Sequence, residues 1–63
     1  MSVELLRPEQ AAEEMNISRT RIFGLIASGE LRSIKLGKTW LIPRECIREF
    51  VERQLEAQAV EVR

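Results

Sequence analysis

The apolar residues of this 63-residue chain change period twice, and those changes divide it into elements. Ala11, Ala12 and Met15, then Ile22, Leu25 and Ile26, recur at three- and four-residue steps, as one face of an α-helix requires. Ile34, Leu36, Trp40 and Ile42 follow at even-numbered positions, the spacing of half-buried strands. Helical spacing returns with Ile47, Phe50, Val51 and Leu55. The pattern predicts helix, helix, hairpin, helix.

The residues at the boundaries sharpen that reading. Pro8 suits the first helical position, where its fixed φ fits and its missing N–H has no partner to lose. Gln10, two residues on, is placed to accept from a free backbone N–H, while Glu9, Glu13 and Glu14 face water. Asn16 tolerates the left-handed conformation that ends a helix, and Ile17 is the buried bridge to the next one. Ser18 is a good N-cap for a second helix running to Ser28, with Gly29 as its left-handed stop. The third helix follows Pro43, uses Ile47, Phe50, Val51 and Leu55 as the last wall of the core, and carries Glu45–Arg48, Arg48–Glu52 and Glu49–Arg53 pairs on its outer face. From about residue 58 the pattern stops. The expectation is one domain over residues 1–57 and a frayed tail over 58–63, in which Val60 and Val62 have no face to join.

The hairpin, about residues 31–36 and 40–42, has two possible registers. A three-residue loop, Gly37-Lys38-Thr39, sets Leu36 opposite Trp40 and Ile34 opposite Ile42, all four on one side. A two-residue loop at Gly37-Lys38 pairs Trp40 with Lys35 and splits the apolar set. Hydrophobic register favours the longer loop, although glycine more usually comes last in it. Ile34, Leu36, Trp40 and Ile42 then face inward, with Lys35, Lys38 and Thr39 at the rim and tip. An isolated hairpin is marginal in water, so this one should lie on the helices as a wing.

Charge changes the picture. The chain is neutral overall, yet residues 17–44 carry six cations (Arg19, Arg21, Arg32, Lys35, Lys38, Arg44) against Glu30, a local +5. The first sixteen residues carry −3 and the last nineteen −2. A phosphate backbone is gripped by a localised positive field, not by a positive total. Histidine, aspartate and tyrosine are absent, so no Ser-His or Cys-His pair exists and an enzyme is not expected. Cys46, the lone cysteine, is read as a small, partly buried helix residue; neither a disulfide nor a metal-ligand cluster can be assembled, and no cofactor is expected. Apolar runs of three or four residues span no membrane, and Met1-Ser2-Val3-Glu4 lacks the regions of a signal peptide, which implies a cytoplasmic protein.

The outward face of the second helix is the unusual one. It carries Thr20, Gly24 and Ala27, flanked by Arg19 and Phe23, where a solvated face normally carries long charged residues. Gly24 costs about 1 kcal/mol relative to alanine in a helix interior. A thin, small-residue ridge edged by cations suits a helix that enters the DNA major groove. The alternative is that Gly24 is tolerated and Phe23 packs on the hairpin.

Helix, tight turn, helix, hairpin, helix is a small winged-helix arrangement, mostly α with one β-hairpin. Residues 8–19 (Pro-Glu-Gln-Ala-Ala-Glu-Glu-Met-Asn-Ile-Ser-Arg), Gly29-Glu30-Leu31, and residues 36–44 (Leu-Gly-Lys-Thr-Trp-Leu-Ile-Pro-Arg) together resemble the excisionase-type helix-turn-helix family, related to the DNA-binding domains of MerR-like regulators. The similarity covers about residues 5–55. It implies that the second helix lies in the major groove through Ser18, Arg19, Thr20, Arg21, Phe23 and Gly24. It also implies that the wing reaches the adjacent minor groove or backbone through Lys35, Lys38 and Thr39. Phage excisionases of this kind bind adjacent sites, bend DNA and bias an integrase towards excision without performing chemistry. The chain departs from the pattern at Arg7, where Ser or Thr usually caps, at Gly24, where a long and often basic residue is usual, and at Leu41, often arginine. An outward Leu41 is a candidate contact between protomers on DNA.

Three functions follow. The first is an excisionase acting on double-stranded DNA with an integrase and neighbouring copies of itself, on the nucleoid of a bacterial host; the chain's brevity favours it. A small MerR-like transcriptional regulator would use the same DNA-contact residues. A protein-interaction module that has lost DNA binding would not need the +5 segment.

Overall fold

A computed structural model describes residues 3–59. Val60, Val62 and most of the expected tail lie outside the described residues. The chain runs β1 (Leu5–Leu6), α1 (Pro8–Met15), α2 (Arg19–Ser28), β2 (Ile34–Leu36), β3 (Thr39–Pro43) and α3 (Arg44–Ala59). This is a mostly α winged helix-turn-helix with a small antiparallel sheet in the order β1-β3-β2.

Local chemistry sets the helix boundaries. Gln10 Oε1 accepts from the Arg7 backbone N–H at 3.0 Å, while the Arg7 side chain provides no cap. Asn16 sits at φ +62°, and the Ile17 N–H reaches back to the Ala12 carbonyl at 3.0 Å. Ser18 Oγ accepts from the Arg21 N–H at 3.1 Å and opens α2. Gly29, at φ +83°, closes it. The Leu31 N–H then returns to the Leu25 carbonyl at 3.2 Å, which brings Leu31 inside.

The hairpin takes the shorter loop, so the expected register is wrong. Ile34 lies opposite Leu41, Lys35 opposite Trp40 and Leu36 opposite Thr39, around a two-residue Gly37-Lys38 turn. Gly37, at φ +63°, holds the first central position, the glycine site of a type II′ turn. Turn geometry outweighed the clustering of apolar side chains. Directly opposed residues share a face, so Lys35, Trp40 and Ile42 point to the helices. Ile34, Leu36, Thr39 and Leu41 point away, leaving Ile34 43% and Leu36 57% exposed. The first hairpin strand starts later than expected, with Leu31 before it, whereas the second extends one residue beyond the expected 40–42 at each end.

A strand the sequence did not announce completes the sheet. Leu5 pairs with Pro43 and Leu6 with Ile42. Leu6 thereby joins Ile22, Leu31 and Ile42, the three fully buried large side chains, in a core closed by Ala11, Ala12, Ile26, Ile47 and Phe50. Ala11 and Ala12 are buried because α1 and α2 approach closely there. Val51 and Leu55 are not core residues, being 40% and 65% exposed. At 1.5 Å per residue, the sixteen residues of α3 run about 24 Å, past the end of the body they pack on. The helix runs through Ala59.

The outer face of α3 is not laced as expected. Among the described residues its Glu–Arg pairs do not close. Arg53 Nη2 instead donates to the Glu30 carbonyl at 2.8 Å, tying α3 to the loop after α2. Arg44 makes the larger tie. Its backbone N–H donates to the Glu4 carbonyl at 2.9 Å, its Nε to Glu4 Oε1 at 2.6 Å, and its Nη1 and Nη2 to the two Glu14 oxygens at 2.7 and 3.0 Å. This two-pronged hydrogen bond holds the Glu14 carboxyl below its usual range, with the Arg44 charge adding to it against partial desolvation.

Two outcomes are expected. Ile42→Ala should cost about 2–5 kcal/mol in urea unfolding, whereas Leu36→Ser on the outer face should stay within about 0.5 kcal/mol. A comparable loss at Leu36 would mean the longer loop is the true one. Because Glu14 has a lowered folded-state pKa, its linked stabilisation is full above the unfolded carboxylate pKa and fades as pH falls through the folded value. Urea midpoints taken from about pH 7 to about pH 3 should therefore fall further for the wild type than for Arg44→Met.

Candidate nucleic-acid interface

The core face of α2 is fixed by Ile22 and Ile26, which leaves the opposite surface outward. Thr20 and Gly24 lie on it, and Ser18, Arg19, Arg21 and Phe23, at its start and flanks, are exposed as well. Two flanks can be distinguished. On one, Ser18, Thr20, Arg21 and Gly24 line a shallow depression that continues to Ser28 and Glu30. On the other, Phe23 looks across a cleft at the wing tip, where Lys38, Thr39 and Trp40 stand, with Arg7, Pro8 and Glu9 forming the floor at the start of α1. Arg19 reaches this second flank, its Nη2 lying 3.4 Å from Glu9 Oε2. The cleft thus brings Phe23 together with Lys38 and Thr39, with Arg19 paired to its Glu9, while Arg21 lines the other depression.

A Cβ built on Gly24 would meet nothing within 4 Å, so the fold itself makes no demand for glycine there. Phe23 does not settle onto the hairpin as a buried residue; it is 41% exposed beside the cleft.

The wing residues divide three ways. Lys38 and Thr39 are at the tip. Lys35 lies on the helix-facing side of the sheet, its Nζ 5.6 Å from the centre of the Trp40 ring, a cation–π approach. Leu41 is on the other side, half-buried among Ile34, Leu36 and Leu5. Ile34 and Leu36 therefore belong with Leu41, a grouping hidden by the longer-loop register.

The local positive field is smaller than the residue count suggests. Arg44 is neutralised by Glu4 and Glu14, and its own pKa is raised, first by its hydrogen bond to Glu14 and then by that to Glu4. Among the described residues Arg21, Arg32, Lys35 and Lys38 form no ion pair, and Arg19 is loosely paired. Arg7, which lines the cleft, adds one cation from outside the 17–44 segment. Among the described residues there is no cluster of metal-ligating side chains, and no helix is long and apolar enough to cross a membrane.

The family model described as "Helix-turn-helix domain" matches residues 5–55, the span from β1 into α3. A curated relative from Saccharopolyspora erythraea, described as "Probable excisionase", is 36% identical over 55 residues, covering 87% of this chain. The chain spans only 56% of that relative's length. No solved structure gives a significant match. The matched span contains both helices, the turn between them and the whole wing, so the resemblance and the geometry coincide: the chain belongs to the helix-turn-helix domain family, a DNA-binding and non-enzymatic family.

Proposed function

We propose that this protein is an excisionase-like architectural factor that binds adjacent sites on double-stranded DNA cooperatively, bends the duplex and biases a partner integrase towards excision, acting on the bacterial nucleoid. The observation that carries the DNA-binding part is the cleft between α2 and the wing tip, where Phe23, Lys38 and Thr39 converge and Arg19 is paired with Glu9. In this reading Ser18, Arg19, Thr20, Arg21, Phe23 and Gly24 enter the major groove, with the first turn of α2 nearest the base edges. Gly24 lets the helix backbone approach closely, which accounts for a glycine that the fold does not require. Lys38 and Thr39 follow the flanking backbone or minor groove, and Lys35 supports them from its seat on Trp40.

The outer face of the sheet supports the cooperative part. Leu5, Ile34, Leu36 and Leu41 form an apolar surface that nothing in the described chain covers. A single module of this kind buries only about 600–1,000 Å² on DNA, which leaves little margin for choosing one site in a genome. A neighbouring copy seated on that face would add burial only where two sites lie in tandem.

Salt and substitution test the grip. With about four or five phosphates neutralised by the open cations, log K against log[salt] should slope near −4, and a flat titration would rule out a backbone grip. Arg19→Ala or Arg21→Ala should remove roughly 1–3 kcal/mol from specific binding, whereas Lys38→Ala should weaken specific and non-specific binding alike. Equal small losses at all three would misplace the recognition helix. For assembly, Leu41→Glu should lower occupancy of the second of two adjacent sites about tenfold, the equivalent of burying one leucine, and leave single-site affinity nearly unchanged. Independent filling of adjacent sites by the wild type in a footprint titration would remove the cooperative reading.

A further inference from the structure

Glu9 is the one carboxylate lining the cleft between the recognition helix and the wing tip, where it stands with Arg7 and Lys38 and touches Arg19. The contact joins the first turn of α1 to the first residue of α2, across the turn between the helices. It engages Arg19 through Nη2 alone, at 3.4 Å, with side chains 70% and 56% exposed. An exposed pair this long adds little to folding. A negative charge in a cleft whose other charged residues, Arg7 and Lys38, are cations also opposes any generic hold on phosphates.

We propose that Glu9 is a positioning residue for DNA readout: it orients the Arg19 guanidinium for a base edge and disfavours its use as a phosphate grip. The inference rests on the DNA-binding reading above. A free arginine satisfies a phosphate from many directions, because charge alone suffices there. A guanine edge accepts the planar fork in one orientation only, at O6 and N7. A carboxylate on one N–H of Nη2 biases where the guanidinium points and leaves its other N–H groups to the base. The same carboxylate lies within about one Debye length of the passing backbone, about 10 Å at 0.1 M salt, and repels it. On non-specific DNA that repulsion goes uncompensated; on a site with guanine at the right position, the oriented fork offsets it. Glu9 thereby widens the gap between specific and non-specific binding.

The test compares wild type, Glu9→Gln, Arg19→Ala and the double variant by selection from a duplex library with a randomised centre, and by titration of poly(dA-dT), which has no guanine-like O6 and N7 edge, as the non-specific probe. Equal urea midpoints for wild type and Glu9→Gln establish that the fold is intact. The wild type should select a guanine at one fixed position. Glu9→Gln and Arg19→Ala should both flatten that position, the double variant should flatten it no further than Arg19→Ala, and Glu9→Gln should bind poly(dA-dT) about two- to fivefold more tightly at low salt. A wild type that selects sites, with Glu9→Gln keeping the same base preference or the same hold on poly(dA-dT), overturns the role of Glu9 alone. A wild type that binds no duplex overturns the DNA-binding reading, and this inference with it.

Discussion

Both halves of the molecule converge on Ile42. It is fully buried, sits in the central strand of the sheet, pairs with Leu6 at one edge, and belongs to the same buried cluster as Ile22 of α2. A chain this small has few side chains to spend on its interior, and nine apolar residues make the buried core. β3 therefore serves three neighbours at once. It holds β1, it holds β2, and it leads directly into α3. The position of the wing relative to α2 follows from this one strand, because the face bearing Ile42 also bears Trp40 and fixes which way the tip leans.

Much of this architecture was legible in the sequence wherever the determinant was local. Ser18, Gly29, Asn16 and Pro8 each act on the backbone within one turn of themselves, and each does what its chemistry implies. The register of the hairpin was misread because two local rules disagreed: apolar side chains favoured a longer loop, and a leading glycine favoured a shorter one. The glycine prevailed, since a positive φ at its position is a steric condition, whereas exposed leucines on a small sheet carry only a moderate penalty. β1 was invisible because two residues have no period, and their partners lie more than thirty-five positions away. Val51 and Leu55 continue a true helical pattern, but the body of the domain ends before they do.

For the site, the outward face of α2 could be read directly from the position of its core residues. The contacts linking separate elements could not. Arg44 counts as a cation in any linear tally, and only the fold shows it consumed by Glu4 and Glu14, forty and thirty residues away. Glu9 looks like an ordinary solvated glutamate until α1 and α2 are docked. Charge sorting along the chain thus overstated the field of the 17–44 segment, because neutralisation is a property of three-dimensional neighbours.

The strict alternation of side chains in β3 has an evolutionary consequence. Ile42 and Trp40 answer to the core, while Leu41 and its partner Ile34 answer to whatever meets the opposite side. Neighbouring codons are therefore under unrelated selection. The outward set can drift, lose its apolar character or acquire a new match without disturbing the interior, so lineages sharing this scaffold can diversify their assemblies while the scaffold itself stays fixed.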